Sequence, residues 1–246
     1  MNPVYVAGYP RSGNVWLSRL LGDALDSPVR GEGAAMSIAQ EGLDRPGPHV
    51  VRQLCLHVVR GKPERAVISA YEFAPAAYAG ERVVYVYRDP RDVAISAWKF
   101  FDYDSLEMTL HSMAGKVPGA LGVHGAWADH VRDWLALDLC GLQSARFRDL
   151  PGAISSLLDG WGLAPARPLP EVYARQDFAA KRSQIEQDGD TRPYGRQRQL
   201  EAMRRGIVGD WRNWFTGNEA KLAHTYFWPL LNELGFEEDE DWWQAC

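Results

Sequence analysis

Apolar and polar positions along the chain alternate between two periods. "VYVAG" (4–8) is a short apolar run ending in glycine, followed by a turn that holds Pro10 and Gly13. Then comes "NVWLSRLLGDAL", where Val15, Trp16, Leu20, Leu21 and Leu25 recur at helical spacing. The pattern predicts strand, loop and helix. "RAVIS" (65–69) and "RVVYVY" (82–87) read as buried strands, and the second runs directly into "RDPRDVAISAWKFF". There Asp89 suits an N-cap, Pro90 the first helical turn, and Asp92 completes an acidic start. "LQSARF" (142–147) reads as a further strand before the helical "GAISSLLDGWG". "LEAMRRGIVGDWRNWF" and "NEAKLAHTYFWPLLNELGF" read as mostly helical, and the segment between about 163 and 195 as looser. Strands alternating with helices predict an α/β domain whose parallel sheet carries helices on both faces. Ligands are then expected at the carboxyl ends of the strands, after residues 8, 69 and 87. The Gly- and Pro-rich stretch from Arg30 to Pro48 reads as a mobile loop.

Composition narrows this picture. With 246 residues, 46% of them apolar and 24% charged, the chain supports one sizeable core and shows no disorder signature. One domain over 1–246 is expected, its core at about 4–236, with 237–246 an acidic, aromatic tail. The net charge of −5 argues against a nucleic-acid or anionic-membrane binder. The charge is uneven, however: Arg175 to Arg212 holds nine Lys or Arg against six Asp or Glu, whereas "EEDED" (237–241) is wholly acidic. The basic stretch fits either an anion site or a solvated helical face. Cys55, Cys140 and Cys246 have neither disulfide-framework nor zinc-site spacing, which fits a reducing cytoplasm. A strand starting at Val4 leaves no room for an export leader, and no apolar run approaches the ~20 residues that cross a bilayer. A cytoplasmic location is therefore expected, with no membrane or nucleic-acid partner.

The chemistry concentrates at "YPRSGNVW" (9–16). Triphosphatase loops of the P-loop type read G-x-x-x-x-G-K-S/T, with Lys on the β and γ phosphates and the hydroxyl on magnesium. Gly8 and Gly13 keep that separation, but Asn14 and Val15 stand in place of Lys and Ser/Thr, and Val cannot hold magnesium. What remains is a helix N-terminus, an anion site that needs no metal, with Arg11 and Ser12 supplying charge and a hydroxyl.

"YPRSGNVWL" resembles the 5′-phosphosulfate loop, YPKSGTTWL, of the cytosolic-type sulfotransferases, which use 3′-phosphoadenosine-5′-phosphosulfate (PAPS). "YVYRDPRDVAISAWKFF" is similar to that family's 3′-phosphate segment, in which an Arg and a Ser eight positions later hold the phosphate; here these are Arg88 and Ser96. "RRGIVGDWRNWFT" (204–216) resembles the family's RKGxxGDWKNxFT, placing Arg204, Arg205 and Gly206 on the same phosphate. Weaker matches put Phe147, in "RFRDL", and Phe178, in "QDFAAKR", near the adenine. The resemblance runs from residue 4 to about 236 and implies a P-loop-type α/β fold. It also implies PAPS as donor, 3′-phosphoadenosine 5′-phosphate (PAP) as product, no metal, and a small-molecule acceptor carrying a hydroxyl or, second to it, an amine. The loop residues Arg11, Ser12, Gly13, Asn14, Val15 and Trp16 would cradle the phosphosulfate, with Arg11 in the place of the family's catalytic Lys.

Two departures stand out. The family's general base is a His in a K-T/S-H segment before the 3′-phosphate unit, and the aligned "ISAY" puts Tyr71 there. Tyr, with an unperturbed pKa near ~10, is a poor base at neutral pH. Four explanations remain open: Tyr71 or Glu72 takes the proton; His49 or His57 does; the acceptor is acidic enough to need no strong base; or the protein binds PAP without catalysis. The family's dimer segment, K-x-x-x-T-V-x-x-x-E, falls at Arg212 to Lys221, but Gly217 and Lys221 replace its Val and Glu, leaving the oligomeric state open. Trp98, Phe100, Phe101 and Tyr103 fit either an acceptor pocket or a packed helix. A nucleotide kinase is the other enzyme class, opposed by Asn14 and Val15.

Overall fold

A computed structural model describes residues 2–27, 29–31, 49–54, 57–58, 72–73, 80–121, 124–137, 142–188, 197, 200, 203 and 206–246. The strand-forming runs assemble in a five-stranded sheet: β1 (Asn2–Gly8), β2 (Val29–Gly31), β3 (His49–Leu54), β6 (Arg82–Tyr87) and β7 (Leu142–Arg146), in the order β2-β3-β1-β6-β7. Every pairing is parallel, with Val4 opposite both Val51 and Arg82. A separate parallel pair joins β4 (His57–Val58) to β5 (Glu72–Phe73). The predicted strand at 65–69 and Tyr71 lie outside the described residues, as does most of the 30–48 stretch.

Alternation along the central strands separates two cores. Val4 and Val6 of β1 and Val84 and Val86 of β6 pack with α1 (Asn14–Ala24), α5 (Leu150–Gly160) and α6 (Leu169–Arg175). Ala7, Val83 and Tyr85 point to the other face. There they meet α2 (Pro90–Phe101), α3 (Leu106–Met113), α4 (Trp127–Leu135) and α8 (Gly217–Glu233). The fold is mixed α/β with helices on both faces of a small parallel sheet.

Three expectations are corrected. Within 163–195 the part up to residue 188 is not loose: it holds α6 and, immediately after, α7 (Phe178–Asp188), whose first amides at Ala179 and Ala180 donate to Asp177 Oδ1 at 2.9 and 3.1 Å, while 189–195 lie outside the described residues. The Pro168–Leu169–Pro170 run starts a helix rather than breaking one, because prolines are tolerated in the first turn. Conversely, the helical expectation for "GIVGDWRN" fails, since Gly206 (φ 66°) and Gly209 (φ 80°) turn the backbone left-handed before a short 3₁₀ turn at Asp210–Asn213. Finally, Phe147 lies past the end of β7, in a 3₁₀ turn (Phe147–Asp149). The tail is anchored at Trp242, which is buried in the same core cluster as α2 and α8.

Candidate functional site

The loop after β1 runs through Tyr9, Pro10, Arg11, Ser12 and Gly13 to α1. Tyr9 is fully buried, its ring edge-on to His130 at 5.2 Å, and burial pushes its phenol well above the usual value, so it stays neutral. Arg11 is left-handed (φ 70°), a conformation that costs a non-glycine residue energy and turns the chain sharply into the helix. Gly13 (φ 105°) has no alternative, since a Cβ there would enter the Phe147 ring as well as strain the backbone. Asn14, the first helical residue, donates from Nδ2 to the Gly8 carbonyl at 2.9 Å and so staples the loop's two ends. That is a structural task for the residue that replaces the P-loop lysine.

The N-terminus of α1 has neither a side-chain cap nor an acidic residue in its first turn. Its leading amides have no intrahelical acceptor, so it is electropositive. The contrast with α2 is direct, because α2 carries Asp89 as a cap, accepting from Arg91 N at 2.9 Å, and Asp92 in its first turn. Ser12 is fully buried in the loop, and its Oγ has no hydrogen-bond partner among the described residues.

Two cations flank this N-terminus. Arg11 donates from Nε to Ser96 Oγ at 3.0 Å and lays its guanidinium over Phe100, 4.2 Å from the ring centroid. Arg88 donates to the Arg11 carbonyl at 3.4 Å and to the Ile207 carbonyl at 3.2 Å, stands 3.8 Å from Asp92, and covers the Phe147 ring at 4.3 Å. Arg88 thus bridges the loop, the start of α2 and the segment after Gly206. Asp92 fixes that segment too, accepting from Gly209 N at 2.8 Å and from Trp211 N at 3.1 Å. Burial holds its carboxyl above the ordinary range despite the opposing pull of Arg88.

Three aromatic residues border the same region. Trp16 is tilted on Phe147 with ring centroids 5.5 Å apart, and its Nε1 donates to the Gln176 carbonyl at 3.0 Å, drawing the end of α6 onto α1. Phe178 opens α7, and its ring lies 2.6 Å from where a Cβ on Gly206 would stand. A cavity of about 160 Å³ opens beside Arg88, lined among others by Phe147, Arg148, Gly209 and Arg212.

Arg11, Ser12, Gly13, Asn14, Val15, Trp16, Arg88, Ser96, Phe147, Phe178 and Gly206 therefore belong to one neighbourhood, whereas Tyr71, Arg204 and Arg205 lie outside the described residues. His49 is set apart: it is the first residue of β3, opposite Asn2, at the amino edge of the sheet, and the loop leaves from the carboxyl edge. His57 is paired in register with Glu72, on a strand that lies against α4. Of the four aromatic residues after Ser96, only Phe100 stacks on Arg11; Trp98 packs edge-on to Trp214 at 5.8 Å, and Phe101 and Tyr103 flank the core. Sequence reasoning missed Asp92 as a ligand of the 209–211 backbone. Its signal was present, since a helix cap needs one acid and "RDPRD" supplies two. Among the described residues no group of three or more His, Cys, Asp or Glu side chains has metal-site geometry. None of the described helices is long and apolar enough to cross a membrane.

The family model described as "Sulfotransferase domain" matches residues 2–141, from β1 to the threshold of β7. The chain belongs to the sulfotransferase domain family. Mouse sulfotransferase 2B1 is 25% identical over an alignment 238 positions long that covers 87% of this chain and 66% of that protein. Mouse sulfotransferase 2A2 is 24% identical over 249 residues, covering 89% of this chain and 80% of the relative. Rabbit amine sulfotransferase is 28% identical over an alignment 148 positions long that covers 53% of this chain and 44% of that protein. The chain thus spans just under two thirds of the mouse 2B1 relative. The crystal structure of mouse sulfotransferase SULT7A1 complexed with PAP superposes with a TM-score of 0.64 at 16% identity, over 96% of this chain and 85% of that one. At that identity the likeness carries the fold.

Proposed function

We propose that the protein transfers the sulfuryl group of PAPS to a hydroxyl, or second to it an amine, of a small-molecule acceptor, without a metal. The observation that carries this is an uncapped, acid-free helix N-terminus flanked by Arg11 and Arg88, the two guanidinium groups tied to one frame through Ser96 and the Arg11 carbonyl. Such a frame fits a nucleotide with phosphates at both ends of its ribose. The amides at Gly13 to Trp16 and Arg11 would hold the 5′-phosphosulfate. Arg88 and Ser96, joined by the "RRG" segment, would hold the 3′-phosphate, with adenine against Trp16, Phe147 and Phe178. The binding of PAP by the SULT7A1 neighbour supports the same choice.

In the reaction the acceptor oxygen bonds to sulfur in line with the departing phosphate oxygen. The sulfur–oxygen bond to that phosphate breaks, PAP leaves, and the acceptor's proton passes to a base or to water. Negative charge grows on the bridging and phosphate oxygens, where fixed amides and a guanidinium stabilise it. Arg11 keeps its proton at any working pH, so it stabilises charge and transfers none. The phenols of Tyr9 and Tyr85, both held neutral by burial, do not serve as the base. Tyr71 and Glu72 are the base candidates at the family's position.

Titration calorimetry in the presence of EDTA is expected to show PAP binding, and no binding at millimolar PAP overturns the reading. With labelled PAPS and an acceptor panel, Arg11→Ala should lower kcat roughly 10²–10³-fold, the scale of losing one oxyanion donor. Tyr71→Phe and Glu72→Gln then separate the bases: the variant that loses turnover while keeping PAP affinity identifies the group. PAP binding with no transfer to any acceptor would instead favour a non-catalytic PAP-binding protein, the reading that Tyr71 in place of His motivates.

A further inference from the structure

We propose that Asp92 is a positioning residue that joins the two halves of the 3′-phosphate site, holding the Ile207–Trp211 backbone and the Arg88 guanidinium in register. This rests on the functional reading above and extends it to a residue that touches no substrate. Asp92 is 2% exposed. Its Oδ2 accepts the Gly209 amide at 2.8 Å, its Oδ1 accepts the Trp211 amide at 3.1 Å, and Arg88 Nη2 lies 3.8 Å from Oδ2. The same Arg88 nitrogen donates to the Ile207 carbonyl at 3.2 Å. A ring of contacts results: Asp92 to Gly209, along the chain to Ile207, across to Arg88, and back one helical turn to Asp92.

One positive-φ glycine, Gly206, precedes the held segment and another, Gly209, lies within it, so its own backbone does little to define its path. Without the carboxylate, the Ile207–Trp211 segment loses its two amide bonds to α2, and the Arg88–Ile207 bond is left to set how far Gly206 stands from Arg88. The geometry of a two-sided phosphate clamp depends on that distance.

The charge makes the inference sharp. A carboxylate within 4 Å of a phosphate-binding guanidinium weakens that guanidinium's field, so elementary electrostatics predicts that neutralising Asp92 strengthens phosphate binding. Positioning predicts the reverse. An Asn at this site also presents an NH₂ where the Gly209 N–H needs an acceptor, or loses the Trp211 contact if it flips.

The test is PAP against adenosine 5′-monophosphate, which lacks the 3′-phosphate, measured by calorimetry on wild type, Asp92→Asn and Asp92→Glu. The expected result is a PAP affinity reduced about tenfold or more in Asp92→Asn, the scale of a lost charge-assisted contact, with adenosine 5′-monophosphate within about twofold of wild type. Asp92→Glu should recover part of the loss. Unchanged or tighter PAP binding overturns the inference, and so does an equal loss for both nucleotides, which a purely structural role would give. Hydrogen exchange on the unmodified protein is the second measurement, independent of whether the variants fold. The Gly209 and Trp211 amides should be protected without ligand, and exchange at the rate of open loop overturns the inference. Wild type that binds adenosine 5′-monophosphate but not PAP would strike the functional reading itself, whereas wild type that binds PAP while Asp92→Asn is unaltered strikes only the role of Asp92.

Discussion

At the scale of single residues, the loop separates what a motif says from what a side chain does. Asn14 sits where nucleotide-hydrolysing loops have lysine, and its amide group staples Gly8. The cation is instead Arg11, turned left-handed two residues before Gly13. Because Gly13 combines positive φ with contact on Phe147, Gly13→Ala should destabilise by roughly 1–3 kcal/mol from backbone strain alone and displace the ring. Urea unfolding checks the first effect, and Trp16 fluorescence the second. Asp92 gives a pH signature. Its folded-state pKa is raised by burial, so the folded protein binds that proton more readily than the unfolded chain. Its contribution to stability is present below the unfolded-state value and falls as pH rises through the folded one. The unfolding free energy of wild type minus that of Asp92→Asn should therefore decrease across the pH window just above the ordinary aspartate range, and a flat difference would remove burial as the cause. Arg11, Arg88, Ser96 and the glycines were legible because each belongs to a spaced motif. Asp92 was read as part of an acidic first turn; the second acid of "RDPRD" hinted at a further task, but its partners, amides more than a hundred residues away, could not be named from the local pattern.

Among elements, the boundaries set by β-branched runs and caps held closely: β6 spans 82–87 as the sequence reads, and Asp89 and Pro90 open α2. The failures came where tertiary contacts decide. The region around α6 looks irregular by composition, but it is fastened to α1. Asp23 accepts from Arg175 Nε at 3.0 Å and from Gln176 Nε2 at 3.1 Å, while Trp16 donates to the Gln176 carbonyl. Arg167 reaches the same acid at 3.5 Å and pairs with Asp26. This fastening sets where α7 begins, and hence where Phe178 stands. Asp23→Ala should cost about 1–3 kcal/mol, the range for charged hydrogen bonds, and should weaken binding of adenine nucleotides more than of inorganic pyrophosphate, as competition calorimetry would show. The "GIVGDWRN" stretch misled in the opposite way. Its apolar and charged spacing suits a helix, but two glycines and the acceptor pair on Asp92 make it a turn.

For the whole molecule, the β1 and β6 edges bring the loop and α2 together, and the end of the chain locks them from behind. Arg91 is fully buried between the indoles of Trp211 and Trp242, 4.1 and 4.6 Å from their centroids, and paired with Asp89 and with Glu237 at 2.9 Å. Removing residues 237–246 would open that sandwich and take away Glu237 and one indole, leaving Arg91 with Asp89, the Phe236 carbonyl and the Trp211 ring. A loss of about 3–5 kcal/mol, the cost of breaking a buried ion pair, is expected in urea unfolding. The acidic, aromatic composition of this tail was plain in the sequence, but its partner was not, because Arg91 lies some 150 residues earlier and reads locally as a surface charge. The order of the sheet carries one more consequence, for synthesis. β1 is the first of its strands to leave the ribosome, yet it is the middle one, and its neighbours β3 and β6 begin at residues 49 and 82. The loop after β1 and the helix that follows it must wait, with an apolar strand bare on both edges, until dozens more residues are made. Slow, non-local closure of this kind favours capture by chaperones and loss to aggregation when translation outpaces folding.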